Sequence, residues 1–121
     1  MAIQGLGIDI VSVSRIEGMV ETWGEDFLDR VFAGSELDYC LSKRRKYEHL
    51  AGRFAAKEAV IKATGRKLPW KSIEVLSEED GRPSVRLSLD DPKAIRSEAN
   101  LFVSITHQED FALAVAVYEE S

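Results

Sequence analysis

Two acidic residues in apolar settings, a dense group of cations and one histidine at the end of a strand are the side chains here that could act together. Asp9 lies between Ile8 and Ile10, and from Gly5 to Val11 its other neighbours are apolar or glycine. Glu58 falls at helical spacing on the stripe Tyr47, Leu50, Ala51, Phe54, Ala55 and Ile61. A carboxylate directed at a core needs a partner or a metal. Each has a plain alternative. Lys62, one turn on, could pair with Glu58, and Asp9 could cap a turn at Ser12. Taken together, two bare carboxylates would repel each other, and a divalent cation would compensate both. Two carboxylates completed by ligand phosphate oxygens and water are a usual way to hold Mg²⁺.

The same helix carries Arg53, Lys57 and Lys62, and Lys43, Arg44, Arg45 and Lys46 precede it. One reading is a solvated face neutralised by Glu36, Asp38 and Glu48. The other is a polyphosphate site, since guanidinium forks and ammonium groups both suit phosphate oxygens. An anion site that also holds two carboxylates makes sense with a metal between the like charges, which points to a Mg²⁺-bridged diphosphate and phosphoryl-group chemistry. His107 closes the Leu101, Val103, Ile105 face of its strand. It is either structural or, beside a hairpin turn, part of a site. Gly5 and Gly7 lie within a strand rather than after it, so they do not make a dinucleotide fingerprint. Cys40 reads as a buried helix residue.

The elements that must position these groups follow from the pattern. Ile3 to Val11 predicts a strand. Ser12 to about Thr22 predicts a helix, with Ser14 and Glu17 in a capping box. Glu25 to Phe32 and Ser35 to Leu41 predict short helices, the second with Ser35 as its N-cap. Tyr47 to Thr64 predicts a long helix ended by Gly65. Ile73 to Leu89, across Asp80-Gly81, predicts a hairpin. Asp91 to Ala99 predicts a short helix, and Leu101 to Thr106 with Phe111 to Tyr118 a second hairpin. The expected class is α+β, an antiparallel sheet packed with a long helix in a single domain over 1–121. The 121 residues are 45% hydrophobic and 31% charged, an ordinary globular composition. A net charge of −5 argues against whole-surface attraction to nucleic acid or anionic lipid. No apolar run approaches the ~20 residues of a membrane span. The single cysteine excludes an internal disulfide and any multi-cysteine zinc site. A cytoplasmic protein is the expectation.

The blocks GLGIDIVSVSRI (5–16), FAGSELDYC (32–40), LAGRFAAKEAVIKATG (50–65) and VSITHQEDFALAVAV (103–117) resemble the holo-[acyl-carrier-protein] synthases. These form the short, stand-alone class of 4'-phosphopantetheinyl transferases. The resemblance runs over almost the whole chain in the same order. It implies the 4'-phosphopantetheinyl transferase-like fold, and an enzyme that moves the 4'-phosphopantetheine arm of coenzyme A onto a serine of apo acyl carrier protein, releasing adenosine 3',5'-bisphosphate. It implies Mg²⁺ held by Asp9 and Glu58, with Lys62 neutralising charge on the diphosphate. It implies coenzyme A binding by Lys43, Arg44, Arg45, Arg53, Lys62 and His107, with Gly65 allowing close backbone approach.

The resemblance further implies a homotrimer with active sites between subunits, Asp9 and His107 from one chain and Glu58, Lys62 and the basic helix from its neighbour. Glu58 is the candidate acceptor of the serine proton, directly or through a metal-bound water. Arg15 and Met19 match the carrier-docking surface, while Glu21, Glu25 and Asp26 stand where more positive charge is expected. Docking then leans on Arg15, Arg30 and the Lys43 to Lys46 run, or the carrier is less acidic than usual. Two other readings compete: a non-catalytic coenzyme-binding module, which has no need of two carboxylates in apolar settings, and a superfamily member acting on carrier domains of peptide or polyketide synthases, which usually has two such halves in one longer chain.

Overall fold

Helix α4 (Lys46–Thr64) runs through the middle of the molecule, and the rest of the chain is arranged around it. The computed structural model describes residues 2–88 and 100–120. Strands β1 (Ala2–Ser12), β4 (Asn100–Gln108) and β5 (Phe111–Glu120) form an antiparallel sheet in the order β1-β5-β4. Helices α1 (Val13–Trp23), α2 (Glu25–Val31) and α3 (Gly34–Leu41) lead from β1 to α4. A short 3₁₀ turn (Trp70–Ser72) then enters the hairpin of β2 (Ile73–Ser77) and β3 (Pro83–Leu87). The α+β class and both hairpins agree with expectation. Leu89 and the helix expected over Asp91 to Ala99 lie outside the described residues.

The sheet meets α4 through very small side chains. Three rows cross it on the helix side: Val103–Ala116–Gly7, Ile105–Ala114–Asp9 and His107–Ala112–Val11. Ala112, Ala114 and Ala116 are fully buried. A Cβ on Gly5 would lie 1.9 Å from the Ala63 carbonyl oxygen, and one on Gly7 would lie 1.9 Å from that of Ala59. Only glycine lets β1 approach the helix backbone this closely. The other face of the sheet is apolar and open: Leu6, Ile8, Ile10 and Phe102 are between 55 and 66% exposed.

Burial around α4 differs from the predicted stripe. The helix is covered on most sides, with Gly52, Arg53, Ala55, Ala56, Lys57, Ala59, Val60 and Ala63 all buried. Phe54, Glu58 and Ile61 are only half-buried, so Glu58 does not face the core. The charge buried most deeply on this helix is Lys57. Its ammonium donates to Glu36 Oε1 at 2.6 Å and to the carbonyls of Trp70 (2.9 Å) and Ile73 (2.5 Å). Glu36 also accepts from the backbone N–H groups of Ala33 and Val75. This buried pair ties α3, α4, the 3₁₀ turn and β2 together. Burial pushes the Lys57 pKa below its ordinary value, against the pull of Glu36. Lys57 therefore belongs to the core and not to a phosphate-binding face.

Helix ends also depart from expectation. The N-cap of α1 is Ser12, whose Oγ accepts from Arg15 N–H; Ser14 lies inside the helix. Asp110, in the β4–β5 turn, accepts from both serine hydroxyls and from Ser14 N–H, and so completes the cap from outside the helix. In α3 the N-cap position is Ala33, with Glu36 reaching back to its N–H, while Ser35 donates to Glu74. Gly65 is the left-handed C-cap of α4, as expected, at φ 69°. Cys40 is buried, and desolvation pushes its thiol up to about 11.

Candidate active site

Asp9 reaches the site because Gly5 and Gly7, on the same side of β1, bring that strand against α4. Glu58 and Lys62 come from α4 itself. Lys62 Nζ donates to Asp9 Oδ1 at 3.3 Å and to the Ile8 carbonyl at 3.0 Å. The i,i+4 pairing of Lys62 with Glu58 is thus replaced by a contact across two elements. Asp9 does not cap the turn at Ser12, since Asp110 does so. Glu58 Oε1 accepts instead from the Trp70 indole N–H at 2.9 Å. Partial burial raises the Asp9 carboxyl above its ordinary value and Glu58 adds repulsion, while Lys62 opposes both.

Both carboxylates line one cleft of about 870 Å³, whose wall includes Arg15, Met19, Arg30, Phe54 and Trp70. Among the described residues, Asp9 Oδ2 and Glu58 Oε2 have no hydrogen-bond partner. Two hard oxygen donors with mutual repulsion to relieve fit a divalent cation such as Mg²⁺. The proposed docking residues Arg15 and Met19 stand on the same cleft as these carboxylates.

A second group gathers around the start of α4. The Arg53 guanidinium sits 4.2 Å from the Tyr39 ring centroid and the Lys43 ammonium 4.6 Å from it. His49 meets Tyr39 and His107 edge-on at 5.7 and 6.3 Å. Burial first, then Arg53, lowers the pKa of His49. Arg53 also donates to Ser77 Oγ at 2.9 Å. Arg53 Nε and His107 Nε2 are buried without a hydrogen-bond partner among the described residues. Gly52 makes room for His107, since a Cβ there would lie 2.7 Å from Nε2. Arg45 pairs with Glu48 at 3.6 Å, and Arg44 is exposed in the loop.

The expected division between chains is therefore redrawn. Asp9, Glu58 and Lys62 come together in one chain. His107 joins Arg53 and Lys43 elsewhere, two strands and two residues from Asp9, or about 12 Å at Cα by strand spacing and rise. Sequence reasoning missed Tyr39, His49, Gly52 and Trp70. The i,i+4 spacing of His49 and Arg53 could have marked His49. Nothing local marked Trp70, which reaches Glu58 only through the fold.

The family model of the 4'-phosphopantetheinyl transferase superfamily matches residues 5–116. A holo-[acyl-carrier-protein] synthase of Halothermothrix orenii is 44% identical, over 98% of this chain and 98% of its own. The crystal structure of the holo-[acyl-carrier-protein] synthase from Neisseria meningitidis superposes with a TM-score of 0.90 at 30% identity, covering 98% of this chain and all of that one. The Bacillus anthracis synthase, solved in complex with CoA (3',5'-ADP), gives a TM-score of 0.83 at 34% identity over 98% of both chains. The chain belongs to the 4'-phosphopantetheinyl transferase superfamily and, within it, to the holo-[acyl-carrier-protein] synthases.

Proposed function

We propose that this protein transfers the 4'-phosphopantetheine group of coenzyme A to a serine of apo acyl carrier protein, in a Mg²⁺-dependent reaction serving fatty acid biosynthesis in the cytoplasm. The observation that carries the reading is the meeting of Asp9 and Glu58 on one cleft beside Arg15 and Met19, with Lys62 bonded to Asp9. Asp9 and Glu58 would hold the metal, which when bound supplies positive charge to the diphosphate under attack. Lys62, already bonded to Asp9, would neutralise charge that grows on the bridging and leaving oxygens. Glu58 would accept the serine proton, directly or through a water, as the new oxygen–phosphorus bond forms. The bond between that phosphorus and the bridging oxygen breaks, and adenosine 3',5'-bisphosphate leaves with its electron pair. Lys43, Arg44, Arg45, Arg53 and His107 would hold the nucleotide and its 3'-phosphate. The unpartnered Arg53 Nε and His107 Nε2 support that role, because buried polar atoms require a partner. Gly65 would let the ligand approach the end of α4.

The open sheet face supports assembly as a homotrimer. Leu6, Ile8, Ile10 and Phe102 form the kind of continuous apolar surface that other chains cover. In the trimer the carboxylate group of one chain would face the Arg53 and His107 group of the next.

The test mixes protein, coenzyme A, Mg²⁺ and apo carriers of fatty acid, peptide and polyketide synthases. A mass gain of one phosphopantetheine arm on the fatty acid carrier, lost in Glu58→Gln, is the expected result. Gain only on the other carriers would assign the third reading. No gain on any would leave a coenzyme-binding module.

A further inference from the structure

We infer that Trp70 is a positioning residue for Glu58, and that the buried Lys57–Glu36 pair holds Trp70 in place to do so. The inference rests on the proposed metal site at Asp9 and Glu58. Glu58 has one hydrogen bond among the described residues, and the donor is the indole N–H of Trp70 at 2.9 Å. An indole N–H can only donate, and a bond from it to an ionised carboxylate is charge-assisted. It therefore fixes one oxygen of Glu58, restricts rotation of the carboxylate and leaves Oε2 as the donor for a cation. A carboxylate on a flexible glutamate stem gains in metal affinity when a neighbour sets its orientation.

Trp70 itself is held through both its ring and its backbone. Its ring packs on Phe54, one turn before Glu58 on α4, with centroids 5.9 Å apart. Its own carbonyl accepts from Lys57 Nζ at 2.9 Å, and the same ammonium takes the carbonyl of Ile73 three residues on. Lys57 is in turn fixed by Glu36. Consecutive residues of α4 thus grip one short segment from two sides. Lys57 holds its backbone from the core, and Glu58 takes its side chain at the cleft.

Mn²⁺, counted by electron paramagnetic resonance as a probe of the Mg²⁺ site, tests the inference without turnover. Trp70→Phe keeps the ring on Phe54 and removes the N–H. In a Trp23→Phe background, β-(3-benzothienyl)alanine at position 70 replaces only the N–H by sulfur and keeps the shape. Both should weaken Mn²⁺ binding by about tenfold to a hundredfold, with unchanged circular dichroism for the benzothienyl protein. In that same background with Trp70 intact, indole emission should shift on Mn²⁺ addition with the midpoint found by resonance. Mn²⁺ binding within twofold of the parent in the benzothienyl protein would overturn the role of Trp70, provided Glu58→Gln abolishes binding. If Glu58→Gln binds Mn²⁺ as well as the parent, the metal site itself is wrong and the inference falls with it.

Discussion

Gly7→Ala is the substitution that connects packing to chemistry most directly. A methyl at position 7 would lie 1.9 Å from the Ala59 carbonyl oxygen and 2.8 Å from its carbon. The obstacle is helix backbone, so no side chain can turn aside. Raising the contact to the 3.4 Å of ordinary van der Waals distance requires β1 to retreat from α4 by about 1.5 Å. Asp9 stands two residues further along that strand, and Glu58 is the neighbour of Ala59. The retreat therefore separates the two carboxylates and pulls Asp9 from Lys62. Overpacking of this kind costs about 1–3 kcal/mol of stability. A displacement of 1 Å in a reacting constellation can cost roughly a hundredfold in rate. Gly18→Ala is the control: nothing lies within 4 Å of a Cβ there, and the position is inside α1, so the change should stabilise by about 0.5–1 kcal/mol. Urea unfolding and the carrier-modification rate at saturating Mg²⁺ measure both effects. A Gly7→Ala protein as stable as the parent, and within threefold of its rate, would show that this close approach does not set the spacing of the carboxylates.

Lys57→Met should destabilise by about 3–5 kcal/mol, because it strands Glu36 in the core, and adding Glu36→Gln should recover part of that; denaturant melts of the three variants decide, and an unchanged single variant would refute the coupling. Hydrogen bonds from Ser14 and then Ser12 hold the Asp110 carboxyl below its ordinary value near 3.8. The unfolded chain binds that proton first, so the stabilisation is complete above about pH 3.8 and disappears as pH falls through the lower folded value. A carboxyl titration of Asp110 by NMR with a midpoint at or above 3.8 would contradict this. Arg15→Glu should raise KM for the carrier far more than KM for coenzyme A, whereas equal effects would count against docking at Arg15. Ile8→Asp, on the open sheet face, should yield monomers in sedimentation velocity if that face joins three chains.

Much of the architecture was legible because local pattern and tertiary need agree there. The helix-forming run through Thr64 and the glycine after it define α4 to within one residue at its start. The two alternating runs around His107-Gln108-Glu109-Asp110 form β4 and β5 as expected. Caps were less legible. Ser14 and Glu17 have the spacing of a capping box, yet Ser12 is the cap, because Asp110 arrives from nearly a hundred residues away to bond both serines.

The sequence by itself determined which residues could do the chemistry. Asp9 and Glu58 were recognisable as carboxylates in apolar company, and Lys62 as the cation one turn beyond. What the tertiary structure alone decided was how charges are shared out. Helical periodicity places Lys57 and Glu58 side by side and cannot say which one turns inward. Lys57 does, because Glu36 and two backbone carbonyls wait for it in the core. Glu58 is left at the cleft, held by the indole of Trp70. Lys62 takes Asp9 rather than Glu58, across the close approach of β1 to α4 that two glycines allow. Partner choice depends on distances through space, and those exist only once the strand and helix have packed.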